Sequence, residues 1–424
     1  MLAKFSAVLL LGIQLSPHIW AENWPQWRGP QRDATWRETG IVSAFPESGL
    51  PSRWKVPVGT GWASPVIAED RLFLFDAELK APQAWERLQC FDFATGRKLW
   101  SHAEEIRYPE WAFGADQNAG PSATPLVAGG RIYLLGSNGS VRCLDAGTGE
   151  LVWRQALGDQ YQIEPLMCRA SPVLEGHLLI VFIGGKPSAS LVALDLDSGK
   201  VVWTALDEPV SNSSPLVLSA GGKRQLIAWT GTSVSSLDPT SGALFWRQPL
   251  TTSNNDAVAT PVSDERRLLI GGLMFALEAD RPAARIRWPE NLGISKRILS
   301  NTSTALLTPE AVYSADGRGG VVCLDAETGR ELWRQKEITD GKTGCSIQLI
   351  PNGDRVFLYT NQGDLLLAQL SPQGYREISR THLLDPVTPF GGRKVNWTPP
   401  VFAGRCIVVR NEREMVCVSL AAPE

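Results

Sequence analysis

Histidine is nearly missing from this chain. Four occur in 424 residues, at His18, His102, His177 and His382. None has a second histidine or a cysteine at ligand spacing, so no metal ligands are assigned. There is no Gly-x-Ser-x-Gly elbow and no glycine-rich loop to cradle a phosphate. No catalytic residue set can be assembled, and an enzyme is the less favoured reading. Basic runs are also missing, and the formal net charge is −3. Nucleic acid is therefore not an expected partner. Beyond Leu15 no stretch is long and apolar enough to span a bilayer.

The start of the chain has the marks of a secretory signal. Lys4 supplies the positive end, Phe5–Leu15 the apolar core, and Ala21 a small residue at a cleavage point. The other reading is an uncleaved anchor or a buried helix. Residues 1–21 are taken as the signal, 22–51 as a leader and 52–424 as the body. No cysteine near the signal could accept a lipid. An exported protein, periplasmic or secreted, is expected, with no transmembrane segment left after cleavage.

What the chain has is tryptophan, sixteen in all, and they fall in step. One string recurs: small residue, apolar residue, Asp, turn residues, Gly, three residues, Trp. It reads CFDFATGRKLW at Cys90–Trp100 and CLDAGTGELVW at Cys143–Trp153. It reads ALDLDSGKVVW at Ala193–Trp203, SLDPTSGALFW at Ser236–Trp246 and CLDAETGRELW at Cys323–Trp333. The string rests on Asp92, Gly96 and Trp100; Asp145, Gly149 and Trp153; Asp195, Gly199 and Trp203; Asp238, Gly242 and Trp246; and Asp325, Gly329 and Trp333. A copy at Ala276–Trp288 lacks the Gly, and one at Leu367–Ile378 lacks the Trp. Successive tryptophans from Trp100 to Trp333 are 42 to 53 residues apart, the length of one propeller blade.

Each unit opens with hydroxyl, Pro and aliphatics: at Ala63, Ala123, Ala170, Ser213 and Ala259, more loosely at Ser303, Ser346 and Thr398. That opening predicts the innermost strand, with Pro at its start. RIYLLGS from Arg131 predicts the second strand and VRCLD the third. The Asp bonds the turn amides, and the Gly takes positive φ. The strand ending in Trp is outermost, where the indole packs on the next blade and reaches a carbonyl. The last unit has three strands only. SRWKVPV at Ser52–Val58, holding Trp54, is the expected fourth. The fold expected is an all-β, eight-bladed propeller of four antiparallel strands per blade, closed by that N-terminal strand. The alternative is seven blades with an irregular insertion.

These motifs resemble the PQQ-like propeller repeat family, where the Asp–Gly–Trp string is the tryptophan-docking motif. The resemblance covers roughly residues 50 to 420. It implies kinship with quinoprotein dehydrogenases, with BamB of the outer-membrane assembly machine, and with exported propellers of unassigned role, whose leaders NWPQWRGPQRDA at Asn23–Ala34 is similar to. The dehydrogenases' adjacent cysteines, the haem Cys-x-x-Cys-His and the BamB lipid-bearing cysteine are all missing here. Fold kinship alone does not carry chemistry.

Seven cysteines suggest no full disulfide framework. Cys90, Cys143, Cys323 and Cys417 take the small position of the motif, and with Cys406 they read as small buried hydrophobes. Cys168 and Cys345 fall just before inner strands, near the channel mouth, where a ligand or redox role is the sharper alternative. The residues that converge on that mouth are Trp62, Arg169, Asn212, Asp256, Asn301, Lys342, Asn396 and Trp397, with Arg393 and Lys394 close by. They make a polar, aromatic set such as a small-molecule pocket uses, or a solvated funnel. The 101–121 insertion, with Tyr108, Trp111 and Phe113, is expected to pack over a face, or to act as a lid or binding surface. The leading functional reading is a monomeric, non-catalytic binding or scaffold module for a protein or polymer partner of the cell envelope, without a cofactor. The alternative is a dehydrogenase binding pyrroloquinoline quinone in the axial channel.

Overall fold

Each repeat folds as a four-stranded antiparallel meander, and eight such sheets stand side by side as blades of a ring. The computed structural model describes residues 22–114, 117, 119–251, 257–289, 299–341 and 344–423. Residues 1–21, read as the signal, lie outside them. Blade 2 shows the pattern, with strands Leu126–Ala128, Arg131–Leu135, Ser140–Asp145 and Leu151–Ala156 running from the axis outward. Blade 8 combines Val401–Ala403, Cys406–Arg410 and Glu414–Ser419 with Ser52–Pro57 as its outermost strand. The pairing Ser52↔Val418 through Pro57↔Glu414 closes the ring. A separate hairpin, Thr388–Phe390 with Arg393–Val395, stands between blades 7 and 8.

The Asp turn has one geometry throughout. In blade 1 the Asp92 carboxylate accepts from the Thr95 amide (2.9 Å) and hydroxyl (2.6 Å), while the Gly96 amide bonds the Asp92 carbonyl at 2.8 Å. Asp145, Asp238 and Asp325 likewise accept from a Thr two or three residues on, and Asp195 from Ser198. These bonds favour the charged carboxylate, and hold all five below the usual aspartate range. A depressed carboxylate stabilises the fold above its unfolded pKa, and that stability is lost as pH falls through the folded one. Resistance to urea should therefore drop below about pH 4, less steeply in Asp145→Asn; a midpoint flat from pH 6 to pH 3 would contradict this.

Across the third and fourth strands the small residue of the motif faces the tryptophan: Cys90↔Trp100, Cys143↔Trp153, Cys323↔Trp333, and in the closing blade Cys417↔Trp54. An aromatic on the second strand completes the row. Phe73, Tyr133 and Tyr313 sit 5.9 to 6.0 Å from Trp100, Trp153 and Trp333 across a cysteine. A larger residue between them would hold the rings apart. The indoles of Trp54, Trp100, Trp153, Trp203 and Trp288 then lie on the glycine of the following blade. A Cβ on Gly149, Gly199 or Gly329 would stand 2.5 Å from Trp100, Trp153 or Trp288, and these glycines have φ between +68° and +76°. The indole N–H of Trp54, Trp153, Trp203, Trp288 and Trp333 reaches a carbonyl of the next blade at 2.8 to 3.1 Å. Two tryptophans depart. Trp246 faces the copy without Gly, and bonds Gln225 of its own blade. Trp100 leaves its N–H unpaired, while Arg71 takes the Ala146 carbonyl.

Blade 7 lacks its tryptophan, and the leader supplies aromatics there. Trp36 packs on Phe357 (5.7 Å) of blade 7 and Phe402 (5.1 Å) of blade 8. Its carbonyl accepts from Asn352, and the Phe45 amide bonds Ser379 Oγ. Glu38 receives the Gly404 and Arg405 amides of blade 8. The leader thus staples the one junction that the repeat leaves without a docking indole.

Candidate functional site

The openings of the blades build a belt of hydroxyls around the axis. In four blades the amide of the residue before the Pro would be an orphan donor, and a hydroxyl of the next blade accepts it. Ser64 N–H donates to Thr124 Oγ1, Thr124 to Ser171 Oγ, Ser171 to Ser214 Oγ and Thr260 to Thr304 Oγ1, at 2.9 to 3.2 Å. This is why Ser or Thr recurs before the Pro. The sequence reading saw the strand start and missed the inter-blade bond.

Below the belt the leader runs along the inner edges of the blades. Trp24 pairs with Ile67 of blade 1, and Pro25 accepts from Val127 of blade 2. Arg32 donates to the Pro172 and Pro215 carbonyls of blades 3 and 4. Trp27 Nε1 bonds Thr260 Oγ1 of blade 5 at 2.9 Å, and Trp36 N–H bonds Pro351 O of blade 7. Burial lowers the pKa of Arg28 and Arg32 to about 10. Nothing in the leader's sequence signalled that it would fill the channel, because its tryptophans follow no period.

Above that plug lies a cavity of about 310 Å³ lined by residues of all eight blades. Its floor is Trp27. Its walls include Ser122, Ser171, Ser214, Thr302, Thr304 and Ser346. Of the residues expected at the mouth, Trp62, Arg169, Asn212 and Trp397 line it. Asn301 stands outside, its carbonyl taken by the Val258 and Ala259 amides. Asn396 is buried behind the wall, with its amide N–H on the Asn361 carbonyl. Asp256 and Lys342 lie outside the described residues. Phe390, from the hairpin, closes over the mouth and meets Trp397 edge-on at 5.1 Å and 85°. An ion pair between Arg393 and Asp340 ties that hairpin to the segment ahead of blade 7.

Arg169 dominates the electrostatics. Its Nε donates to the Leu166 carbonyl at 2.8 Å, and its guanidinium lies over the Trp62 ring at 5.5 Å. No described carboxylate reaches ion-pair distance. Burial lowers its pKa, with Glu164 opposing. Glu412 contacts Trp62 from behind the wall, and burial raises its carboxyl.

In the insertion, Tyr108 is buried against Glu86, while Trp111 is 54% exposed. Its end forms the wall, because the Trp62 and Ala63 amides both bond Pro121 O.

All seven cysteines are buried thiols, and none lines the cavity. Burial pushes Cys90 and Cys168 up to about 12, and Cys143 and Cys323 to about 11. Cys345 Sγ donates to the Asp340 carbonyl at 2.5 Å. Cys406 goes the other way, pulled down by a hydrogen bond from Cys417 and by the Arg53 guanidinium at 3.3 Å. All seven thiols are buried, so maleimide should react slowly and only through local opening; since the thiolate is the nucleophile, Cys406 should then be modified ahead of the other six. Peptide mass mapping showing Cys90 or Cys143 reacting first would overturn that ranking.

A family model of PQQ-like repeats, described as "Outer membrane protein assembly factor BamB", matches residues 84–297 and 280–373. The chain belongs to this family. Within the PQQ-like family it is similar to the outer membrane protein assembly factor BamB of Shewanella oneidensis, 22% identical over 70% of this chain and 73% of that protein. It is also similar to the quinoprotein alcohol dehydrogenase PedH of Pseudomonas putida, 30% identical over 35% of this chain. The chain spans 26% of PedH and 58% of BamB from Burkholderia pseudomallei. The structure of BamB from Moraxella catarrhalis superposes with a TM-score of 0.59 at 15% identity, covering 87% of this chain and 99% of that one. The quinohemoprotein alcohol dehydrogenase of Comamonas testosteroni superposes with a TM-score of 0.62 at 13% identity, covering 95% and 81%. At these identities the likeness shows the fold.

A quinone with its metal ion would need hard anionic oxygen ligands. The described lining offers hydroxyls, amides and an arginine, and no carboxylate. No cluster of three or more His, Cys, Asp or Glu occurs among the described residues. That donor set does not fit a divalent cation.

Proposed function

We infer that this protein is an exported binding module, a rigid ring that holds a protein or polymer partner of the cell envelope and carries out no chemistry on it. One observation carries the reading. The cavity converges on aromatic rings from the leader, two blades and the hairpin, with a fixed arginine and a belt of hydroxyls. Such a set recognises a group by shape, charge and hydrogen bonds. Several relatives named as outer membrane protein assembly factors support a role among envelope proteins. The signal-like start, Lys4 with Phe5–Leu15, supports export. Among the described residues no helix is long and apolar enough to cross a membrane.

Site-specific photocrosslinking tests this reading. A photoreactive residue at Phe390 or Trp111 should trap a discrete partner in the envelope. The same residue at Val202, on the outer strand of blade 3, should trap less. Diffuse, equal labelling from all three positions would sink it. Likeness to PedH keeps a second reading in view. Added pyrroloquinoline quinone with Ca²⁺ should neither quench tryptophan fluorescence nor support dye reduction by alcohols; saturable quenching with turnover would establish the dehydrogenase instead.

A further inference from the structure

The cavity is blind, and Arg169 is the one charged residue of its lining, with Glu164 and Glu412 outside that lining. We propose that it takes a carboxylate borne on an apolar or aromatic body, and that this is the free C-terminal end of a partner polypeptide. The proposal rests on the binding-module reading and gives its partner a chemistry.

Arg169 sets the charge. With Nε spent on Leu166 and one face on Trp62, the guanidinium cannot swing away, and its terminal N–H groups make no bond to the described protein. A half-buried cation without an ion pair is poorly compensated, and an arriving carboxylate relieves it through charge-assisted, bidentate bonds. The belt adds further donors. Ser171, Ser214 and Thr304 already accept a backbone amide, so each hydroxyl hydrogen remains to be given, and all three line the cavity. Donors and one positive charge specify an anion.

The walls specify the body. Trp62, Trp397 and Phe390 frame the mouth, and Trp27 closes the floor. About 310 Å³ is near the lower limit for ligand sites. It holds one side chain with a chain end, not a helix or a hairpin. The plug decides between an end and a loop. A polypeptide can enter from the mouth but cannot thread through, because the leader occupies the lower channel along blades 1 to 5 and blade 7. The other end of a polypeptide is an ammonium, which Arg169 repels. Capture of a terminal carboxylate is a known mode of peptide recognition.

Calorimetry and fluorescence quenching with N-acetyl-Ala-Phe as its free acid and as its C-terminal amide test this. The acid should bind at least tenfold more tightly than the amide, and more weakly as salt rises. Arg169→Met should erase the difference, and Arg169→Lys should keep part of it. The acid–amide comparison on the unaltered protein needs no variant, so misfolding cannot hide the answer. Equal binding of the two peptides, a difference that survives Arg169→Met, or no binding of either at millimolar concentration overturns the proposal. Phenylpropanoate binding as tightly as the peptide acid would overturn the chain-end assignment and point to a small free carboxylate. Photocrosslinks that persist in Arg169→Met would leave the binding module standing and remove the pocket from it. Peptide discrimination without any photocrosslinked partner would do the reverse.

Discussion

Trp54→Ala should destabilise the protein by about 3–5 kcal/mol, the range for removing a buried tryptophan, and should open the ring at one seam. Trp54 sits on the N-terminal strand opposite Cys417, and its N–H reaches the Phe93 carbonyl of blade 1 at 2.8 Å. Its indole rests on Gly96, where a Cβ would come within 2.8 Å. One side chain therefore joins blade 8 to blade 1 and fastens the strand that completes blade 8. Trp246→Ala is the comparison. That indole is only half-buried and bonds Gln225 within its own blade, so its loss should cost clearly less. Urea midpoints would rank the two, and limited proteolysis of Trp54→Ala should cut first between the leader and blade 1. Equal midpoints would mean that the closing strand is no special point in the ring.

Arg142→Met should be comparably damaging for a different reason. Arg142 and Glu86 are each 1% exposed at their side chains and meet at 3.0 Å between blades 1 and 2. Glu86 also accepts the Tyr108 hydroxyl (3.0 Å) and the Ser137 amide (2.9 Å). Arg142 further meets Glu104 at 3.1 Å and covers the Phe75 ring. Removing one partner leaves a buried charge uncompensated, a loss of about 3–5 kcal/mol. Glu86→Gln with Arg142→Met removes both charges and keeps an acceptor for Tyr108 and Ser137, so the pair should recover much of the stability. A double variant as unstable as the sum of the singles would show that hydrogen bonding, not charge, is what matters there. The effect should reach the site. Tyr108 anchors the insertion whose end, at Pro121, receives the Trp62 amide in the cavity wall.

The fold was legible because its determinants are local. Asp, Gly and Trp fall within one hairpin at fixed spacing, so Asp145, Gly149 and Trp153 announce a turn, a positive φ and a docking indole together. The shortage of strands in the last unit pointed to Ser52–Val58 as the closing strand, and Ser52–Pro57 takes that place. The site was less legible because it is made of single residues about one blade apart in sequence. Trp62, Arg169, Asn212 and Trp397 could be found from their place ahead of the inner strands. Asn301 and Asn396 share that place, yet turn to backbone partners, which spacing cannot distinguish. Trp27 and Phe390 carried no signal, since one belongs to an aperiodic leader and the other to a hairpin outside the repeat. The hydroxyls of the belt did carry one, in the Ser or Thr before Pro, but their partner is a backbone amide of another blade.

The closing strand also sets an order of events. Ser52 meets Val418 only after nearly the whole chain has been made, while every other blade pairs strands that are close in sequence. Long-range pairing is slow compared with hairpin formation. During synthesis the seven inner repeats can therefore form first, as an open arc with two raw edges. The seam at Trp54 is then the last part to form and the natural place for unfolding to begin, so a chaperone would have the most to protect at the two ends of this molecule.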